Sequence, residues 1–123
     1  MATKILIADD EPNIVISLEF LLKREGYDVV VARNGIEALE RVRAERPDMA
    51  ILDVMMPQRN GFEVCQDLRQ DPEFKDLRIM MLTAKGRDTE VSKGLALGAD
   101  VYMTKPFSTR ELVAKVKALI DRA

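Results

Sequence analysis

The sequence predicts a doubly wound α/β domain of the (βα)5 type, with five parallel strands each followed by a helix. Three observations predict it. Five short runs are rich in Ile, Val, Leu or Met and do not alternate cleanly with polar residues, which suits strands of a parallel sheet covered on both faces. Segments with the 3.6-residue period of a helix lie between them. Proline and glycine stand where those helices begin and end. Strict alternation of strand and helix then requires right-handed crossovers with helices on both faces of one sheet.

Taken in order, "KILIA" (4–8) predicts strand β1, and "PNIVISLEFLLKREG" (12–26) predicts helix α1, opened by Pro12 and stopped at Gly26. "DVVVA" (28–32) predicts β2, and "GIEALERVRAER" (35–46), halted before Pro47, predicts α2. "MAILD" (49–53) predicts β3, and "GFEVCQDLRQ" (61–70), ending before Pro72, predicts α3. "RIMMLT" (78–83) predicts β4, followed by "DTEVSKGLALG" (88–98) as α4, stopped at Gly98. "VYMTK" (101–105) predicts β5, and "STRELVAKVKALIDRA" (108–123), capped by Ser108, predicts α5. No repeat, linker or low-complexity stretch interrupts this pattern, so residues 1–123 are expected to form one domain.

The 123 residues suffice for a single core. A hydrophobic share of 47% beside 33% charged residues places the chain among globular proteins. No apolar run approaches the ~18 residues that would span a bilayer. "MATKILI" leaves no room for a signal peptide before structure begins, so the expected location is the cytoplasm and no membrane partner is expected. A net charge of -2 lacks the basic footprint of a nucleic-acid binder. The one cysteine, Cys65, shares a helical stripe with Phe62 and Leu68 and is expected to be a small core residue. The absence of histidine excludes a Ser-His-Asp triad, a His-ligated zinc and an imidazole base, and the chain cannot itself carry a phosphohistidine.

In doubly wound folds the ligand site lies beyond the carboxyl ends of the strands. There, β1 delivers Asp9 and Asp10, β3 Asp53, β4 Thr83 and β5 Lys105, whereas β2 ends in Ala32 and Arg33. Like charges clustered at the end of an apolar run need water or a cation to offset their repulsion and desolvation. Oxygen ligands without His or Cys suit Mg²⁺, Mn²⁺ or Ca²⁺ rather than zinc. Mg²⁺ held by one or two carboxylates with a phosphate oxygen fits a phosphoryl-transfer site. Each residue also has a plainer reading: Asp9 or Asp10 as a cap of α1, Thr83 as an ordinary strand end, Lys105 as a solvated lysine and Tyr102 as packing.

"ADDEP", "LDVMMPQRNGFEV", "MLTAKG" and "GADVYMTKPFS" stand in register at these strand ends. Together they make the chain resemble, over essentially its whole length, the receiver domain of a two-component response regulator. The resemblance implies a flavodoxin-like sheet of order 2-1-3-4-5 and a phosphorylation-activated switch. Asp53 would be the phosphoacceptor. Asp9 and Asp10, with Asp53 and the backbone carbonyl of Met55, would hold Mg²⁺, with Mn²⁺ as a substitute. Lys105 would pair with one phosphoryl oxygen and Thr83 with another, aided by the amide of Ala84. Tyr102 would follow Thr83 as the switch aromatic, and the Lys105–Pro106 peptide would be cis. The donor would be a phosphohistidine on a sensor histidine kinase or a histidine phosphotransfer protein.

Helix α1 carries more apolar residues than one stripe needs. Ile14, Val15, Leu18, Leu21 and Leu22 fall in one arc, with Ile16 and Phe20 on the far side near Asn13. In the family this helix docks against the kinase, so Asn13, Phe20, Pro106 and Phe107 are the expected docking residues. Two other classes compete with the switch. A degenerate receiver acting only as a binding module is disfavoured, because no acid, threonine or lysine of the set is missing. An aspartyl-phosphate phosphatase would need a second acid two residues after Asp53, where Met55 stands. The expectation is therefore not an enzyme but a phosphoacceptor catalysing only its own phosphorylation and dephosphorylation.

The output is expected at the α4-β5-α5 face. In receivers joined to winged-helix DNA-binding domains that face dimerises through ion pairs. Here Glu111, Lys115, Lys117 and Arg122 supply the α5 half, while Val91, Ala96 and Val101 stand where opposing charges are wanted; Val91 alternatively turns inward with Leu95. The expectation is a direct contact of this face, around Val101 and Tyr102, with a separate protein partner and no direct nucleic acid. The end of the chain at Ala123 points the same way. The alternative is the receiver of a longer transcription regulator whose output domain lies outside this chain.

Overall fold

The computed structural model describes residues 3–84 and 98–121. Eight of the ten anticipated elements follow the sequence pattern closely: β1 Lys4–Ala8, α1 Pro12–Arg24, β2 Asp28–Ala32, α2 Gly35–Glu45, β3 Met49–Asp53, α3 Gly61–Gln70, β5 Val101–Lys105 and α5 Thr109–Ile120. Strand β4, Arg78–Ala84, runs one residue further than expected. The segment expected to form α4 falls almost wholly outside the described residues.

All strand pairs are parallel, and the sheet order is β2-β1-β3-β4-β5, as anticipated. The apolar runs alternate between two cores. Leu6, Ala50, Leu52, Ile79 and Met81 join the cluster beneath α2 and α3, with Val42, Val64, Cys65 and Leu68. Ile5, Ile7, Met49, Ile51, Met80 and Leu82 join the cluster beneath α1 and α5, with Leu18, Leu22, Leu112 and Val116. A strand with both faces covered has no polar position to spare, which is why no period-2 pattern shows in the sequence.

Helix starts are chemically marked. Asn34 and Asn60, in the parallel tetrapeptides "NGIE" and "NGFE", accept from the amides of Glu37 and Glu63. Glu63 also returns a carboxylate to the Asn60 amide, which completes a capping box. Ser108 caps α5, accepting from the Glu111 amide at 3.3 Å. Helix α1 instead opens on Pro12 after Glu11, whose side chain makes no cap hydrogen bond. Past the end of α1, Gly26 has φ +94, a conformation costly for other residues.

The β4 to β5 side is held by Arg69 at the end of α3. Its guanidinium donates to the carbonyls of Lys75, Leu77 and Gly98 and to the Asp100 carboxylate, at 2.6–3.0 Å. Asp100 in turn accepts from the Ile79 amide at 2.8 Å. One side chain thereby ties α3, the start of β4 and the approach to β5 into one unit.

Candidate functional site

Strand register builds the site. The β1–β3 pairing runs Ile7 with Ile51 and Ala8 with Leu52, so Asp9 and Asp53 lie side by side at the next step. Asp53 pairs in turn with Leu82, one residue before Thr83, and Ala84 pairs with Lys105. Asp9, Asp53 and Thr83 are the three buried polar residues among those described. Asp53 is 3% exposed.

Two glycines give the loops room to close on this edge. The Gly61 amide donates to the Val54 carbonyl, and a Cβ on Gly61 would lie 2.6 Å from the Asp53 carbonyl oxygen. A Cβ on Gly35 would collide with the Arg59 carbonyl, so α2 begins pressed against the loop that follows Asp53. The loop is further held by an ion pair between Arg59 and Asp67.

Within this frame, carboxylate oxygens of Asp9, Asp10 and Asp53 all lie within 4.8 Å of one another. Asp10 is exposed while the other two are buried. The Lys105 ammonium, its side chain 15% exposed, reaches Asp9 Oδ2 at 3.0 Å, Glu11 Oε1 at 3.0 Å and Asp53 Oδ1 at 3.4 Å. The amides of Glu11 and Met55 donate to Asp9 Oδ1 and Asp53 Oδ1. Four carboxylates (Asp9, Asp10, Glu11, Asp53) against one ammonium leave three negative charges uncompensated when all are ionised. An all-oxygen cluster with that excess fits a hard divalent cation.

Electrostatics separate the members. Burial, then the neighbouring Asp9 charge, push the Asp53 carboxyl from 3.8 up to about 6, against the pull of Lys105 and the Met55 amide. Near neutral pH it is therefore mainly ionised. Burial acts to lower Lys105, but its hydrogen bonds to Glu11 and Asp9 and the charges of Asp53 and Asp9 outweigh that and raise it, so it stays an ammonium.

A family model for the response regulator receiver domain matches residues 5–117. The chain belongs to this family. As a receiver domain of the two-component response regulators, it is 50% identical over all its 123 residues to the alkaline phosphatase synthesis transcriptional regulatory protein PhoP of Bacillus subtilis, and it spans half of that relative's length. Among solved structures, a chain from Chloroflexus aurantiacus described as a response regulator superposes with a TM-score of 0.96 at 38% identity, over 99% of this chain and 100% of that one. The chemotaxis response regulator CheY4 of Vibrio cholerae gives 0.91 at 32%, over 97% and 99%.

The structure of this receiver brings together Asp9, Asp10, Asp53 and Lys105, and puts Thr83 at the neighbouring strand end. Asp9 accepts from the Glu11 amide just ahead of α1, but Glu11 is the N-cap, so the plainer reading of Asp9 or Asp10 as the cap of that helix does not hold. The Lys105–Pro106 bond is cis. On α1, Val15, Leu18, Leu21 and Leu22 are buried, whereas Asn13 is exposed and Phe20 is 65% exposed. Pro106 is exposed, but Phe107 is half-buried against the α1–α5 core. Tyr102 is half-buried against the α2–α3 core, and Val101 packs on the opposite core.

The charges of α5 are engaged differently from the expected outward row. Lys117 turns to Glu25 at the end of α1, at 2.7 Å, and Lys115 pairs with Glu111 one helical turn away. Lys117 therefore lies toward α1. Val91, Leu95, Ala96 and Arg122 lie outside the described residues. Glu11 is the participant that sequence reasoning did not place; its signal was its position in "DDEP", beside two acids already assigned.

Proposed function

We propose that this receiver accepts a phosphoryl group on Asp53 from a phosphohistidine of a sensor histidine kinase or a histidine phosphotransfer protein. The observation that carries the reading is a buried carboxylate beside two further carboxylates and within 3.4 Å of an ammonium. In the transfer an Asp53 oxygen forms a bond to phosphorus, the bond from phosphorus to the donor breaks, and the donor keeps the electron pair. Asp53 supplies the nucleophile, its Oδ1 held by the Met55 amide. Lys105 offsets charge on the transferred group, and the Thr83 hydroxyl with the Ala84 amide serves its remaining oxygens.

Asp9, Asp10, Asp53 and the Met55 carbonyl would hold Mg²⁺, or Mn²⁺ in its place. That cation supplies neutralisation of the anionic donor, without which two negative groups must approach each other. The added charge and acceptor oxygens draw on Thr83, and Tyr102 on the adjacent strand transmits the change to the α4-β5-α5 face. Asn13, Phe20 and Pro106, backed by Phe107, form the kinase-docking surface. The activity is confined to the chain's own phosphorylation and dephosphorylation, in the cytoplasm. No helix among the described residues is long and apolar enough to cross a membrane. Acetyl phosphate with Mg²⁺ should convert the protein to a monophosphorylated, base-labile form seen by intact mass. Undiminished labelling of Asp53→Asn, or of the wild type in excess chelator, would defeat the reading.

Two outputs remain in play for the α4-β5-α5 face: direct contact with a separate protein, or control of an attached output domain. The 50% identity to a transcriptional regulator of twice this length favours the second. Sedimentation with and without beryllofluoride and Mg²⁺ separates them. A salt-sensitive dimer lost in Glu111→Ala supports the attached-domain output, and a persistent monomer supports a separate partner.

A further inference from the structure

We propose that Glu11 is a positioning residue that holds Lys105 in the resting protein and yields it when Asp53 becomes phosphorylated. The inference deepens the phosphoacceptor reading and rests on it. Asp9 Oδ1 takes the Glu11 amide at 2.9 Å, which fixes the turn and aims the Glu11 carboxylate across the head of α1. Glu11 Oε1 then meets the Lys105 ammonium at 3.0 Å, closer than the 3.4 Å to Asp53.

An ammonium has three donors, and each of the three surrounding carboxylates takes a share of them. A phosphoryl oxygen entering this shell must displace one. Asp9 is buried and has no open water to take the ammonium's place. Asp53 itself carries the new group. Glu11, with its side chain 57% exposed, can exchange the ammonium for water and is the partner that releases at least cost. Glu11 therefore opposes the approach of Lys105 to the transferring group, by the modest amount that a half-exposed ion pair allows.

Acetyl phosphate labelling of the full chain, read by intact mass, tests this in a double-mutant cycle of Glu11→Gln with Lys105→Met. Glu11→Gln should speed labelling by about two- to fivefold with Lys105 present and have no effect in the Lys105→Met background. An equal acceleration in both backgrounds would show that Glu11 only repels the donor, and no acceleration in either would also overturn the proposal. A second readout is independent of labelling. Lys105 ammonium protons, followed by nitrogen-detected NMR, should exchange faster with water in Glu11→Gln than in the wild type or in the distant Glu63→Gln. Unchanged exchange would overturn the proposal. Labelling that survives Asp53→Asn would instead condemn the phosphoacceptor reading beneath it.

Discussion

Asp53 sits where folding alone would not put a carboxylate. It is buried, beside another buried acid, and its pKa is raised accordingly. A raised acid contributes stability only while protonated: the contribution is present below its unfolded value near 3.8 and is lost as pH rises through about 6. Above that range the ionised Asp53 costs stability. In chelator at neutral pH, Asp53→Asn should therefore be more stable than the wild type by about 1–3 kcal/mol, with the gap narrowing toward pH 4. Chemical denaturation at the two pH values reads this directly, and a less stable variant at neutral pH would contradict it. Gly61→Ala should act in the opposite sense, since the added methyl meets the Asp53 carbonyl oxygen; a loss of about 1–3 kcal/mol is expected in the same assay. The four charged site positions were legible in the sequence because parallel register lines up strand ends. The role of Glu11 was not, because it depends on an Asp9 side chain turning the backbone.

Helix α1 divides its apolar residues between a buried face and an exposed one. Leu18 is fully buried, and Leu18→Ala should cost about 2–5 kcal/mol. Phe20 lies outside with the Arg24 guanidinium 5.7 Å from its ring centroid. Phe20→Ala should cost under about 1 kcal/mol, leave acetyl phosphate labelling unchanged and slow transfer from the cognate kinase. Equal stability losses in the two variants would place Phe20 in the core. The periodicity of α1 made this division readable in advance, since a 100° step separates the faces without further information. Arg69 was not readable: its partners are backbone carbonyls and a carboxylate from positions 75 to 100, joined only by folding. Arg69→Ala should lower stability by about 2–4 kcal/mol by leaving half-buried acceptors unpaired, without altering labelling of Asp53. The starts of α2 and α3 lay between these cases, because "NGIE" and "NGFE" carry a capping signal that the apolar pattern alone passes over.

At the scale of the molecule, one sheet with a core on each face brings residues from positions 9 to 105 to a single edge. Their mutual repulsion is the cost of that convergence, and a cation bound there should relieve it. Mg²⁺ at a hundredfold its Kd should stabilise the fold by about 2.7 kcal/mol, and Asp10→Asn should weaken that shift. A thermal scan with and without Mg²⁺ checks this, and an identical Mg²⁺ shift in the variant would remove Asp10 from the cation set. The most direct measurement is chemical trapping at the site itself. The protein is treated with acetyl phosphate and Mg²⁺, reduced with borohydride and digested, and the peptides are sequenced by mass spectrometry. Reduction turns an acyl phosphate into the corresponding alcohol, so homoserine is expected at position 53 alone, absent when Mg²⁺ is chelated. Homoserine elsewhere with Asp53 intact, or trapping indifferent to the cation, would contradict it.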